Sequence, residues 1–277
     1  MARLVHMRRS QGYAAMCAAV ILCLLLPLAA CENARDSALT IAGSTSVQPY
    51  VEIVAEEYEH LYPDKFIEIQ GGGSSAGITA VDTGTAEIGM ISRELKESER
   101  HFWSVEIAKD GLAIIINPAN PVQDVTLEQI RGVYAADITN WADLGGLDAR
   151  IHIITREEGS GTRSAFEDLV MGGRRITPKA IVQDSNGAVR QLVSDDPYSI
   201  GFISLGLVHI GERPVKSMKL DGVEATRENV VNGSYSLFRP FLFVVREEPT
   251  GITKQYIDFI LSPEGQRILS DEGLIPE

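Results

Sequence analysis

The sequence predicts an open α/β fold of two lobes joined by crossing strands, and three observations carry that prediction. Short β-branched runs alternate with segments whose apolar residues recur at helical spacing. Strand after strand runs straight into a loop of Ser, Thr and Gly, and an open α/β sheet gathers such loops on one edge, where ligands bind. Two longer apolar runs, 111–117 and 237–245, read as strands that cross between lobes.

The 277 residues, 44% apolar and 23% charged, have a globular composition that suits one large domain or two modest ones. Arg3, Arg8 and Arg9 precede an apolar run over 14–30, the layout of an export signal. Pro27 and the shortness of the run argue against a permanent membrane span. The run ends in Leu28-Ala29-Ala30-Cys31, which resembles a bacterial lipoprotein processing box and so implies cleavage before Cys31 and lipidation of its thiol. Residues 1–30 are therefore expected to be a signal peptide and 31–38 a polar tether. Only Cys31 then remains of Cys17, Cys23 and Cys31, which excludes a disulfide framework or a cysteine metal site. Without its first thirty residues the chain carries 22 basic against 38 acidic side chains, a net charge of −16 that argues against nucleic acid and anionic membrane surfaces. It does not exclude a small anion, because donors in a closed cleft escape the salt screening that weakens distant surface charges.

In chain order, 39–42 reads as a strand followed by Gly43-Ser44-Thr45-Ser46, with Thr45 and Gln48 at capping-box spacing. The next helix carries Val51, Val54, Tyr58 and Leu61 on one face and stops at Pro63-Asp64. Phe66 to Gln70 is a strand running into Gly71-Gly72-Gly73-Ser74-Ser75-Ala76-Gly77, and a short helix with Ile78 and Val81 follows. Glu87 to Ile91 is a strand ending at Ser92-Arg93. After the apolar run at 111–117, Pro118 and Pro121 suggest a chain crossover, and Thr126 with Gln129 forms another capping box. Ile151 to Thr155 is a strand whose loop, Arg156-Glu157-Glu158-Gly159-Ser160-Gly161-Thr162-Arg163, precedes a helix with Phe166, Leu169 and Val170, capped by Ser160 or Thr162. Such a loop sets backbone N–H groups at the positive end of a helix, and Arg156 adds a planar fork of donors, so it points at a small anion. A further loop of the same kind is Asp184-Ser185-Asn186-Gly187. The C-terminal segment from Ile252 to Leu269 reads as helices broken at Ser262-Pro263.

Gly73-Ser74-Ser75-Ala76-Gly77 also fits a Gly-x-Ser-x-Gly nucleophile elbow, which would make Ser75 the nucleophile of a serine hydrolase. That chemistry needs a histidine partner. His60, His101, His152 and His209 show no catalytic surroundings and no metal-ligand spacing, and no Gly-Lys-Ser/Thr follows the glycines as in a nucleotide loop.

The loops at Gly43–Ser46, Gly71–Gly77, Ile88–Arg93, Ile138–Trp141 and Arg156–Arg163, in that order, resemble the phosphate-binding proteins of bacterial phosphate ABC importers, within the periplasmic binding protein superfamily. The resemblance spans about 39–270. It implies a two-lobed type II fold, lobe 1 comprising 39–117 and 237–277 and lobe 2 comprising 118–236, with hinges near Asn117-Pro118 and Arg239-Pro240. It implies that Thr45, Ser46, Ser74, Ser75, Ser92, Arg93, Arg156, Ser160, Gly161 and Thr162 hold inorganic phosphate, and that Glu158 orients Arg156. Members carry an aspartate accepting the phosphate proton where this chain has Arg93; a Ser-Arg branch of the family shares this, leaving Ser oxygens or Glu158 as the acceptor. The expected protein is an exported, lipid-anchored, non-enzymatic monomer on the extracytoplasmic face, using no metal or cofactor and handing its ligand to membrane permease subunits. Sulfate or molybdate is the alternative ligand.

Overall fold

The first strands and helices arise where the apolar periodicities change. They are β1 (Ala38–Gly43), α1 (Gln48–Leu61), β2 (Phe66–Gly71), α2 (Ser74–Thr83) and β3 (Ile88–Ile91). This computed structural model describes residues 38–209 and 214–277, so the expected signal peptide, Cys31 and all of the tether but Ala38 lie outside the described residues. β1 pairs in parallel with β2 on one side and β3 on the other, and Gly43 stands beside both Gly71 and Met90. The three strands therefore end level, and their Ser/Gly loops share one edge.

The chain continues through β4 (Trp103–Ile116), β5 (Asp124–Val125), α3 (Leu127–Tyr134), β6 (His152–Arg156), α4 (Gly161–Phe166), β7 (Ile181–Gln183), α5 (Asn186–Asp195) and β8 (Ser199–Ser204). It closes with β9 (Lys216–Ser217), β10 (Lys219–Leu220), α6 (Arg227–Val231), β11 (Phe238–Val245), α7 (Gly251–Ile260) and α8 (Pro263–Asp271). The main sheet runs β2-β1-β3-β11-β4-β8-β6-β7. β4 joins its halves. From Trp103 to Gly111 it lies antiparallel to β11, which also borders β3. From Leu112 to Ile116 it lies antiparallel to β8, and β6 and β7 follow in parallel beyond. The result is the expected two-lobed α/β architecture with two crossing strands.

The apolar run read as a crossing strand is the second part of β4, which exchanges partners between Gly111 and Leu112, from β11 to β8. The expected hinge at Asn117-Pro118 lies just past its end. Asn117 donates through its side-chain amide to the Val193 and Ser194 carbonyls.

Two local expectations change. The Thr45–Gln48 capping box does not form: α1 starts at Gln48 without a side-chain cap, Thr45 Oγ1 accepts from Arg156, and Gln48 donates to Glu52. Leu61 is exposed at the end of α1, while Val51, Val54 and Tyr58 are buried, Tyr58 edge-on to Tyr256. The Thr126–Gln129 box is present, each side chain bonding the other's amide at 2.8–3.1 Å. Among the described residues no helix is long and apolar enough to cross a membrane.

Behind the second half-sheet, Phe166 stacks on Phe202 with centroids 4.1 Å apart and lies 4.5 Å from Tyr134. All three rings are fully buried, and Phe166 fixes the end of α4, the helix whose first turn faces the loops. Phe166→Ala should cost about 3–5 kcal/mol through lost burial and the cavity it leaves. Denaturant unfolding of the two proteins measures this directly.

Candidate functional site

The loops after β1, β2 and β3 form a chain of buried hydroxyls. Ser44 Oγ donates to Ser92 Oγ at 2.8 Å and accepts from the Ser46 amide at 3.2 Å. Ser74 Oγ lies 3.4 Å from Ser92 Oγ and accepts from the Ser92 amide at 3.0 Å. Ser44, Ser46, Ser74 and Ser92 are all buried. A hydroxyl can donate one bond and accept two, so such a chain can offer either role to a ligand.

From the second half, β6 delivers Arg156 and Ser160 caps α4, accepting from the Arg163 amide at 3.2 Å. The first amides of that helix, Gly161 and Thr162, have no intrahelical acceptor. Arg156 is almost completely buried. Its Nε and Nη2 donate to both oxygens of Glu157 at 3.0 and 2.9 Å, and Nη2 also reaches Thr45 Oγ1 at 3.2 Å and the Asp184 carbonyl at 3.0 Å. Nη1 is buried without a hydrogen-bond partner among the described residues.

The halves touch at Ser46. Its Oγ is 2.8 Å from Thr162 Oγ1 and accepts from Asn186 Nδ2 at 2.8 Å and from Arg239 Nη2 at 3.2 Å. Arg239 on β11 faces Asp110 on β4, donating to its Oδ2 through Nη2 at 3.0 Å and Nε at 3.3 Å, and Ser204 Oγ donates to Oδ1 at 2.8 Å. Burial pushes the Asp110 carboxyl above its usual range, against the pull of Arg239 and Ser204. Burial likewise lowers the Arg239 guanidinium; Asp110 opposes that shift and the nearby charge of Arg156 adds to it. Contact is also made by backbone, since the Ser75 amide donates to the Gly159 carbonyl at 3.1 Å. Gly161 is obligatory here, because a Cβ would sit 2.1 Å from Ser74 Oγ and 2.6 Å from Ser92 Oγ. Gly73, at φ +88°, permits the turn that brings its loop within reach of Gly159.

The expected residues divide clearly. Thr45, Ser46, Ser74, Ser92, Arg156, Gly161 and Thr162 come together, with Ser160 capping beside them. Ser75 is half-exposed and contributes the amide contact to Gly159. One assignment is corrected. Arg156 is held by Glu157, not Glu158; Glu158 instead lines a depression of about 930 Å³ with Arg163, Asp168 and Arg174 that includes none of the serines. Arg93 spends Nη1 and Nη2 on both oxygens of Glu99 at 2.6 and 2.8 Å, and Nη1 also bonds the Glu94 carbonyl, while its Nε is buried without a hydrogen-bond partner among the described residues. Sequence reasoning missed Asp110, Ser204 and Arg239 as members of the cluster, and it singled out the loop of Asn186 without naming that residue for the site. A signal for two of them was present, since Asp110 and Arg239 are opposite charges bordering the two crossing runs.

The assembly can hold a compact polyoxygen anion with hydroxyls, amides and guanidinium groups. Among the described residues no histidine bonds any of these hydroxyls, and no cluster of His, Cys, Asp or Glu has the makings of a metal site.

Comparison with known proteins points the same way. Residues 29–264 match the model of the PBP superfamily domain. The phosphate-binding protein PstS of Bacillus subtilis is 30% identical over 250 residues, covering 88% of this chain and 82% of that one. A Clostridium perfringens phosphate ABC transporter substrate-binding protein with bound phosphate superimposes with TM-score 0.82 at 46% identity, over 87% of this chain and 99% of that one. An ABC-type phosphate transport receptor from Vibrio cholerae gives TM-score 0.72 at 38% identity, over 86% and 100%.

The Arg93–Glu99 pair yields a pH prediction. Burial opposes the Glu99 carboxylate, but hydrogen bonds from Arg93 and the Lys96 amide outweigh it and hold its pKa below the usual glutamate value. A depressed acid stabilises the fold above its unfolded pKa and loses that contribution as pH falls through the folded one. Glu99→Gln should therefore cost about 3 kcal/mol near neutral pH and progressively less in acid. Urea titrations at a series of pH values compare the two stability curves.

Proposed function

The chain belongs to the PBP superfamily and to its phosphate-binding PstS proteins, and from that membership we propose that it captures inorganic phosphate outside the cytoplasm and delivers it to the permease subunits of an ABC importer. The observation that carries this reading is Arg156: a guanidinium buried to 1% exposure, held by both oxygens of Glu157, with Nη2 on the Thr45 hydroxyl and Nη1 buried without a hydrogen-bond partner among the described residues. A buried cation with an unspent donor calls for an anion, and planar forks match tetrahedral oxyanions. Thr45, Ser46, Ser74, Ser92, Ser160, Gly161 and Thr162 complete the proposed cage, with Ser75 at its rim.

The protein is a receptor and not an enzyme in this reading: among the described residues no histidine bonds Ser44, Ser46, Ser74 or Ser92, whose hydroxyls bond one another and Thr162. It works as a monomer, without metal or cofactor. The lobes close about the strand exchange at Gly111 and Leu112, which brings donors from both sides together and excludes water, strengthening every contact. A lipid on Cys31 tethers it to the membrane, as the processing box at Leu28–Cys31 implies.

Calorimetric titration with phosphate, sulfate and molybdate tests the reading. Phosphate should bind one to one, with the others weaker. Arg156→Ala removes charge-assisted bonds worth ~3 kcal/mol and should weaken phosphate about a hundredfold. Glu157→Gln should lose less and Glu158→Gln least. Parent-like binding by a folded Arg156→Ala protein would sink the proposal. Independently, Cys31→Ser in the precursor should leave the protein unprocessed or release it from membranes, as cell fractionation reports.

A further inference from the structure

We propose that Arg239 is a second direct ligand of the bound anion, so that the oxyanion is gripped by one guanidinium from a lobe loop and another from a crossing strand. This rests on the phosphate reading above and extends it to a residue that the ordered loop motifs do not contain.

Three observations meet on Arg239. It is buried to 2% exposure, yet its Nη1 has no hydrogen-bond partner among the described residues, the same condition as Nη1 of Arg156. Leaving a buried charged donor unsatisfied is costly, so each orphan donor calls for an acceptor, and a single anion beside Ser46 can serve both. The guanidinium already enters the cluster: Nη2, which also holds Asp110, donates to Ser46 Oγ, the atom on which Thr162 and Asn186 also converge. Its direction is fixed from behind. Asp110 stands opposite on β4 and accepts from Nε and Nη2, Ser204 steadies the carboxylate, and the guanidinium lies 5.5 Å from the Phe241 ring. The carboxylate occupies only the Nε–Nη2 side of the fork, which leaves Nη1 for a ligand.

A purely structural role for the pair, pinning β4 to β11, would be served by the bonds to Asp110 and would not require Nη2 to reach Ser46 as well. Nor would it set two cations near enough for Arg156 to depress Arg239. That repulsion is relieved when an anion lies between them. The preferred ligand class is accordingly a multiply charged tetrahedral oxyanion, which can accept from both forks at once.

The test is phosphate titration of Arg239→Lys and Arg239→Gln proteins beside the parent, with thermal melts taken with and without phosphate. Lysine keeps a charge for Asp110 but has no second arm; glutamine loses charge and fork. Binding should weaken about tenfold for Arg239→Lys and about a hundredfold for Arg239→Gln, with the phosphate-induced rise in melting temperature shrinking in the same order. A structural pin would instead lower the melting temperature of the phosphate-free variants while leaving affinity within about twofold of the parent, and that result overturns the proposal. Should neither variant fold, a crystal structure of the parent with phosphate decides. Nη1 within hydrogen-bond distance of a phosphate oxygen supports the assignment, and Nη1 bonded to protein alone overturns it. A parent that binds no phosphate overturns the proposed function, and this inference with it; a parent that binds while both variants match it overturns this inference only.

Discussion

Burying guanidinium groups is the constraint on which this structure turns. Water solvates a cation far better than a protein interior does, so each buried arginine must be bound on nearly every donor. Arg156 meets that demand with Glu157, Thr45 and the Asp184 carbonyl, and Arg239 with Asp110 and Ser46. Those partners come from both halves of the sheet. The pairing therefore specifies how the halves meet, and it leaves one buried nitrogen on each arginine without a partner among the described residues.

The sheet supplies the geometry. β1, β2 and β3 end level, so the serines after them stand close enough to hydrogen-bond one another. β6 ends at Arg156 in the other half, and α4 begins where Gly161 can lie against Ser74 and Ser92. Side chains of Ser size leave the backbone exposed to a ligand, and a larger residue at Gly161 would hold the halves apart. The polar site is thus a consequence of small residues at strand ends.

The acceptor side of the site is built differently from its donor side. The charged donors, Arg156 and Arg239, are fixed by carboxylates that spend their oxygens on them. Asp110 accepts from Arg239 and Ser204, and Glu157 accepts from Arg156. Arg93, which follows Ser92, is itself tied to Glu99. The hydroxyls of the Ser44–Ser92–Ser74 chain, bound to no carboxylate in these contacts, can rotate to accept as readily as to donate.

Much of this was legible in one dimension. Alternating periodicities gave β1 through β3 and the two long apolar runs, because the pattern of burial is written residue by residue. The Ser/Thr/Gly loops were legible for the same reason, and they do meet on one edge, while Arg156 stood out as a cation inside a glycine-rich turn. What needed three dimensions was partner choice. Glu157 and Glu158 are adjacent and identical in chemistry, and only the direction of the loop decides which carboxylate reaches Arg156. Thr45 and Gln48 have capping-box spacing, but the Thr45 hydroxyl went to a guanidinium 111 residues away. Asp110 and Arg239 lie 129 residues apart and become neighbours only because β4 and β11 pair in one register. The sequence by itself determined which segments are strands, which loops are small and polar, and that an anion is the natural guest. The tertiary structure alone decided which charges meet, because burial makes a charge's partner depend on the fold's long-range pairing rather than on its neighbours in the chain.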